Sequence, residues 1–241
     1  METADSPSEN ASPAAASGLD FAVVGIGASA GGLAAVRALL EGLPAAPDMA
    51  FVVVLHLSQH HESHAAALFQ ASTSMPVAQV QDPVRIERDH VYVAPPGHDL
   101  TAVDGTLVPV ECERSMGRHV VIDRFFRALA DAYRQRAIGI VLSGAGADGA
   151  IGIGRLKEEG GIVIAQAPDD AEYDGMPKNA IATGKVDLVL PVADIAKRLV
   201  EIRSNAARIA LPGGSEVAAG VREPAEPQAA EEALRDVMKT L

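Results

Sequence analysis

One glycine-rich stretch constrains the fold more than any other part of the sequence. Residues 21–32 read F-A-V-V-G-I-G-A-S-A-G-G, and helical apolar spacing follows over residues 33–40. Such an apolar run is typical of a short buried strand, and the glycines allow a tight turn into the helix. Ser29 therefore lies on a strand-to-helix turn at the carboxyl edge of the predicted sheet, beside the first N–H groups of the helix. This position suits an acyl-transfer nucleophile with an oxyanion site.

The same stretch has three competing interpretations. A dinucleotide fingerprint is disfavoured, because the spacing is G-x-G-x-x-x-G and the next strand ends in His56 rather than in an acid. Residues 27–31 match G-x-S-x-G, but an α/β-hydrolase places its acid before its histidine along the chain, and here the histidine comes first. The third interpretation is an ordinary tight turn in which Ser29 caps the helix.

Strands and helices alternate along most of the chain. Alternation with short connections predicts an α/β fold, a doubly wound and mostly parallel sheet with helices on both faces. Asp104-Gly105 is a strong hairpin signal, so an antiparallel hairpin is expected at the margin of the sheet. The later predicted strands and extended segments are Phe51–Leu55, Pro76–Val80, Val84–Ile86, Val91–Val93, Ala137–Leu142, Ile162–Ala165 and Val186–Leu190, and the predicted helices include Glu62–Gln70, Val121–Tyr133, one ending at Glu159, and Ala193–Ile202.

Composition limits the class of protein. With 241 residues, 48% of them hydrophobic, the chain can bury one sizeable core, and 3% aromatic residues suit a close-packed α/β sheet. A net charge of −12 provides no basic stripe for a phosphate backbone, so no nucleic acid partner is expected. The single cysteine, Cys112, fits a reducing compartment. The sequence has no export signal and no apolar run that could span a bilayer, so we expect a cytoplasmic protein without membrane insertion.

Changes in composition predict the domain boundaries. Residues 1–18 are rich in Ala, Ser, Pro and acids and are expected to be a disordered leader. One folded domain is expected over residues 19–205, followed by a Gly, Pro and Glu-rich linker over 206–228. Residues 229–241 begin an amphipathic helix. This helix either packs back on the domain or starts a following domain, with Leu241 as a boundary within a longer protein.

Three residues with complementary chemistry follow predicted strands. Open α/β sheets bind ligands outside the carboxyl ends of their strands, where Ser29, His56 and Asp148 all lie. A serine hydroxyl needs a base within hydrogen-bond reach, and the base needs a carboxylate to orient it. Each residue has a structural alternative as well: His56 as a hydrogen-bonded core histidine, and Asp148 as the cap of the following helix.

The histidines also admit a metal site. His60 and His64 are four residues apart, and His56 lies a further four before them with Glu62 between. We disfavour this site, because His56 directly follows a strand and the H-E-x-x-H order is missing. His60, His61 and His64 are expected to be exposed, and His98 is a candidate for lining the same cleft as Ser29.

Seven motifs follow one another along the chain: Gly27-Ala28-Ser29-Ala30-Gly31-Gly32, Leu55-His56, Ala94-Pro95-Pro96-Gly97-His98, Ile122-Asp123-Arg124-Phe125-Phe126, Leu142-Ser143-Gly144-Ala145-Gly146-Ala147-Asp148-Gly149, Ile164-Ala165-Gln166 and Asp174-Gly175-Met176-Pro177. In this order they resemble the catalytic domain of chemotaxis protein-glutamate methylesterases, the CheB family, over about residues 21–202. The resemblance implies hydrolysis of γ-glutamyl methyl esters on receptor helices, with glutamine deamidation in some members. It implies Ser29 as nucleophile, His56 as base and Asp148 as orienting carboxylate, and it implies no metal or organic cofactor.

The chain departs from the family pattern beside the predicted site. Many members have Thr where Ala30 stands and Met where Ala145 stands, which puts substrate choice in doubt. Residues 1–18 are too short to be the usual receiver domain. Chains with G-A-S-A-G-G resemble the first module of fusions with a receptor methyltransferase and sensor domains. The expected partner is a methylated chemoreceptor or related signalling protein, and the alternative function is a catalytically weak regulatory or docking module.

Overall fold

The structure is a computed structural model that describes residues 19–56, 64–111 and 120–209, with side chains as far as residue 205. The described residues up to 205 belong to one compact unit, and residues 206–209 belong to a second. The predicted leader, the predicted last helix and the linker beyond residue 209 lie outside the described residues.

The described elements alternate as the sequence predicts. The strands are β1 (Ala22–Ala28), β2 (Met49–Leu55), β3 (Val77–Gln79), β4 (Val84–Arg85), β5 (Val91–Val93), β6 (His98–Val103), β7 (Thr106–Glu111), β8 (Ala137–Val141), β9 (Ile162–Gln166) and β10 (Leu188–Leu190). The α-helices are α1 (Gly32–Glu41), α2 (Ala65–Gln70), α3 (Val121–Tyr133), α4 (Gly152–Glu158), α5 (Gly175–Ala182) and α6 (Val192–Ile209).

Seven strands form one parallel sheet in the order β10-β9-β8-β1-β2-β5-β3. This confirms the predicted α/β class and the mostly parallel sheet. The hairpin of β6 and β7 turns at Asp104 and Gly105, which have φ angles of 49° and 78°. Positive φ at both central residues matches the twist of the strands. The hairpin pairs with β4 in a separate three-stranded antiparallel sheet, order β4-β7-β6, and does not extend the main sheet.

The main sheet is buried on both faces, because two apolar cores lie on opposite sides of it. Residues of α3, α4 and α5 pack on one face, and residues of α1, α2 and α6 pack on the other. Alternate residues of β1 contribute to the two faces, with Val23 in the first core and Val24 and Ile26 in the second. Burial on both faces explains why these strands read as continuous apolar runs.

Two glycines of β1 let α3 approach the sheet closely. A Cβ atom at Gly25 would lie 2.7 Å from Cδ2 of Leu129, and one at Gly27 would lie 2.4 Å from Cγ2 of Ile122. Real side chains do not approach so closely, so a larger residue at either position would force side chains of α3 to shift. The amino terminus of α3 is thereby held against the end of β1, next to Ser29.

Several element boundaries differ from the sequence prediction. Within the described residues α2 begins at Ala65, and residues 62 and 63 of the predicted helix lie outside them. Strand β10 is two residues shorter than predicted, and α6 continues to Ile209, into the predicted linker. No helix in the described part of the chain is long and apolar enough to cross a bilayer.

Candidate active site

The strand order creates a crevice beside β1. Strand β1 pairs with β2 on one side and with β8 on the other. Helix α1, which leads to β2, packs on one face of the sheet, and α3, which leads to β8, packs on the opposite face. The carboxyl ends of β1 and β8 therefore flank a topological switch point, which is the usual ligand site of an open α/β sheet. Ser29 follows β1 at this point, and its N–H donates to the carbonyl of Ser143, after β8, over 3.0 Å.

Ser29 does not cap α1, so that interpretation is wrong. The cap residue is Gly31, which has a φ of 71° and makes no side-chain capping bond. The Ser29 hydroxyl instead donates to the main-chain carbonyl of His56 over 3.3 Å. The N–H of His56 donates to the carbonyl of Ala28 over 2.9 Å, which continues the pairing of β1 with β2 past the end of both strands. The structure thus brings Ser29 and His56 side by side, both half-buried.

Asp148 lies under the same edge and is 6% exposed. Its Oδ2 accepts the N–H of Ile122 over 3.1 Å, and its Oδ1 accepts the N–H groups of Asp123 and Gly149 over 3.0 Å and 2.9 Å. Two of these donors open α3. The alternative that Asp148 caps the following helix is therefore corrected: it binds the amino terminus of α3, an element that precedes it by more than twenty residues.

Opposing effects act on the Asp148 carboxyl. Burial raises its pKa, hydrogen bonds from the N–H groups of Asp123 and Ile122 lower it, the Asp123 charge raises it, and a charge on His56 lowers it. The net direction is upward, because burial is the largest effect. A charge on His56 has the smallest of these effects on the carboxyl. All three predicted residues follow strands at this edge of the sheet, and the printed contact among them joins the Ser29 hydroxyl to the main-chain carbonyl of His56.

Ser143 is a further residue of the site that the sequence alone did not indicate. It is 1% exposed, and its hydroxyl donates to the carbonyl of Ala30 over 2.9 Å and accepts the N–H of Tyr173 over 3.0 Å. Its own N–H donates to Oε1 of Gln166 over 2.8 Å. Ser143 therefore joins the turn that carries Ser29 to the loop between β9 and α5. Ser143 follows a strand and begins a second glycine-rich turn, and this pattern could have indicated its place in the site.

The described residues contain no cluster of three or more His, Cys, Asp or Glu side chains that could hold a metal ion. His60, His61 and Glu62 of the metal hypothesis lie outside the described residues, and His64 is exposed at the start of α2. His98 begins β6, half-buried, with Nδ1 3.0 Å from the carbonyl oxygen of Pro96.

The fold defines an α/β protein with a ligand crevice at the carboxyl edge of a parallel sheet. The chain belongs to the CheB methylesterase family, whose model matches residues 24–199, and the predicted family resemblance is confirmed. The crystal structure of the Thermotoga maritima CheB methylesterase catalytic domain is similar with a TM-score of 0.70 and 28% identity, covering 76% of this chain and all of that one.

Two relatives differ in how much of their length the match covers. The protein-glutamate methylesterase/protein-glutamine glutaminase 1 of Bordetella avium is 36% identical over 195 residues, 80% of this chain and 57% of the relative. An uncharacterized 104.1 kDa protein of Rhodobacter capsulatus is 35% identical over 151 residues, 63% of this chain and 16% of the relative. The chain therefore spans about half of the first relative and a small part of the second.

Proposed function

We propose that the chain is a serine esterase that hydrolyses γ-glutamyl methyl esters on chemoreceptor-type signalling proteins. The observation that carries this proposal is the placement of Ser29 at the switch point, where its hydroxyl donates to the main-chain carbonyl of His56 and its N–H to the carbonyl of Ser143. Family membership and the name of the Bordetella relative support the same reaction.

In this proposal His56 accepts the Ser29 proton as Oγ attacks the ester carbonyl. The tetrahedral intermediate expels methanol, which takes the proton from His56, and an acyl-enzyme remains. Water, activated by the same imidazole, then releases glutamate and restores the serine. Asp148 orients the imidazole and stabilises its charged form, a role supported by the electrostatic interaction of the two groups.

Two backbone N–H groups next to Ser29 are candidates to bind the oxyanion. The N–H groups of Ala30 and Gly31 make no hydrogen bond within the described residues, and they follow the nucleophile directly at the amino end of α1. Donors in this position stabilise the negative charge that develops in the transition state. The main chain near Gly146, on an exposed turn of the opposite wall, is the second candidate.

We further propose that the same site deamidates glutamine. The chemistry differs only in the leaving group, since ammonia replaces methanol after an equivalent acyl-enzyme forms. The glutaminase activity in the name of the Bordetella relative supports this reaction.

The test is methanol release from a methylated receptor by the wild type, Ser29→Ala and Ser204→Ala. Ser204 is exposed on α6, where its hydroxyl donates to the carbonyl of Glu201, so its loss controls for removal of a serine. We expect Ser29→Ala to lower the rate by roughly 10⁴-fold or more and Ser204→Ala to leave it unchanged. Equal rates in the wild type and Ser29→Ala would refute the proposal. A serine-directed phosphonate that fails to label wild-type Ser29 would favour the weak regulatory module.

We also propose that residues 19–205 are the catalytic module of a larger sensory protein with methyltransferase and sensor domains. The small share of the 104.1 kDa Rhodobacter relative that this chain matches supports this arrangement. Limited proteolysis of the whole chain tests the boundary, and a stable fragment ending near residue 205 is expected. Rapid cleavage inside residues 64–111 or 120–205 would contradict it.

A further inference from the structure

Glu172 lies at the rim of the candidate site, on the loop between β9 and α5. A Cβ atom at Gly31 would lie 2.9 Å from both Cβ and Oε2 of Glu172. The carboxylate is therefore folded over the turn that carries Ser29, two residues from the nucleophile. Helix α1 has no acidic residue in its own first turn, so Glu172 supplies a negative charge at its amino end from another part of the chain.

The backbone next to Glu172 is held in place from both sides. The N–H of Tyr173 donates to the hydroxyl of Ser143 over 3.0 Å, and its carbonyl accepts the N–H of Gly144 over 2.9 Å. These bonds fix the loop to the strand end that also binds Ser29. The backbone of Glu172 is therefore held beside the turn that carries Ser29.

No cation of the described residues neutralises the charge of Glu172. Among the residues that the structure describes, no cation forms an ion pair with it, and the side chain is exposed. Two nearby acids are engaged elsewhere: Asp174 pairs with Lys178 over 2.6 Å, and Asp170 accepts the N–H of Val192 and the side chain of Gln166. Glu172 thus brings a negative charge to the turn that carries Ser29, at Gly31.

We propose that Glu172 sets the charge selectivity of the Ser29 site. A methyl ester is neutral, whereas its product is a carboxylate, so a fixed negative charge beside Ser29 leaves the substrate undisturbed and repels the product. The same field disfavours esters whose neighbouring residues are acidic. The site therefore prefers esters in neutral or basic surroundings and does not retain its product. This inference rests on the proposed function, because it needs turnover at Ser29.

The experiment compares two peptides that carry a γ-methyl glutamate, one with Gln and one with Glu at both adjacent positions. The measured quantity is the ratio of kcat/KM for the Glu-flanked peptide to that for the Gln-flanked peptide, followed by methanol release at low salt. The enzymes are the whole chain, Glu172→Gln and Asp169→Asn. Asp169 is an exposed acid of the same segment, so its variant matches the change in net charge without altering the rim.

We expect Glu172→Gln to raise the ratio by about fivefold, as expected for unit charges several ångströms apart in a partly solvated site. Asp169→Asn should leave the ratio within about twofold of the wild type. In the wild type alone, an increase from about 0.01 M to about 1 M salt should also raise the ratio, because the Debye length falls from about 30 Å to about 3 Å. This measurement does not depend on the folding of a variant.

An unchanged ratio in Glu172→Gln, or an equal rise in Asp169→Asn, would overturn the inference. Ser29→Ala separates this failure from that of the proposed function. If Ser29→Ala hydrolyses both peptides as fast as the wild type, the proposed function fails. If Ser29→Ala abolishes turnover but the ratio of kcat/KM values is the same in Glu172→Gln and the wild type, only the selectivity inference fails.

Discussion

Asp148 and Asp123 bind helix amino termini reciprocally: Asp148 binds the start of α3, which contains Asp123, and Asp123 binds the start of α4, which follows Asp148. Asp148, which precedes α4, accepts the N–H groups of Ile122 and Asp123 at the start of α3. Asp123, in the first turn of α3, accepts the N–H groups of Ile151 and Gly152 at the start of α4 over 2.9 Å and 2.6 Å. These four hydrogen bonds hold the two helices together below the carboxyl edge of the sheet.

Variants of these two residues should therefore differ, with Asp148 mainly affecting activity and Asp123 mainly affecting stability. Asp148→Asn is expected to lower kcat/KM by about 10²–10⁴-fold, because an amide cannot stabilise a charged His56. Asp123→Ala removes two capping bonds and is expected to cost about 0.5–2 kcal/mol of unfolding free energy while most of the activity remains. Methanol release and urea unfolding of both variants provide the measurements. An equal loss of activity in both would show that Asp148 acts through packing alone.

Asp148 also predicts a pH dependence of stability. Its pKa in the folded protein is raised by burial above its ordinary value, which is about 3.9 in an unfolded chain. Between the two pKa values the folded state binds more protons, so this residue makes the unfolding free energy fall as the pH rises. Asp148→Asn lacks this titration. Its stability relative to the wild type should therefore improve from pH 4 to neutrality, measured by urea unfolding; a difference independent of pH would contradict the raised pKa.

Asp48 should show the opposite sign. Burial raises its pKa, but hydrogen bonds and charges of Arg203 and Arg88 outweigh burial and bring it below the ordinary value. The ionised form therefore stabilises the fold above about pH 4, and this contribution is lost as the pH falls through the lowered pKa. The stability advantage of the wild type over Asp48→Asn should shrink on acidification, in the same unfolding series. A constant advantage would argue against these ion pairs.

Local patterns predicted most of the fold. The bounds of α3 agree with the prediction, because Ile122, Phe125, Phe126 and Leu129 repeat at helical spacing and all face the core. The end of α6 was missed because its last turns are polar, and Arg203 is held by an ion pair with Asp48, far away in the sequence. Such a contact leaves no periodic apolar signal.

The candidate site was predictable only where it depends on strand ends. Ser29, His56 and Asp148 each follow an apolar run, which the sequence displays directly. The partners of these residues are set by long-range contacts: Ser143 reaches Ala30 across 113 positions, and Asp148 reaches Ile122 across 26. No local sequence pattern predicts contacts over such separations. The binding of α3 by Asp148 and the role of Ser143 could therefore be found only in the structure.

The close packing of α3 against β1 can be tested at two glycines. Gly27→Ala places a methyl group 2.4 Å from Cγ2 of Ile122, so we expect a loss of about 1–3 kcal/mol in unfolding free energy. At Gly154, within α4, an added Cβ atom would have no neighbour within 4 Å. Gly154→Ala should therefore stabilise the protein by about 0.5–1 kcal/mol. Thermal or urea unfolding of both variants measures whether the unfolding free energy falls or rises. Destabilisation of similar size at both positions would mean that steric contact is not the cause at Gly27.

Ser143 is expected to act as a positioning residue for Ser29. Ser143→Ala leaves the carbonyl of Ala30 and the N–H of Tyr173 without their buried partner, at a cost of about 1–3 kcal/mol. The nucleophile turn should shift as a result, and kcat/KM for ester hydrolysis should fall by about 10–100-fold.

Ser72→Ala provides the matched control for this prediction. Ser72 is 8% exposed, and its hydroxyl accepts Nε of Arg37 and donates to Glu41, so its loss also breaks two bonds of a mostly buried hydroxyl. It follows α2 and makes these bonds to α1 side chains. The two variants should lose comparable stability, but only Ser143→Ala should lose turnover. Since a purely structural role would affect both variants alike, full activity in folded Ser143→Ala would rule out positioning of Ser29 by this hydroxyl.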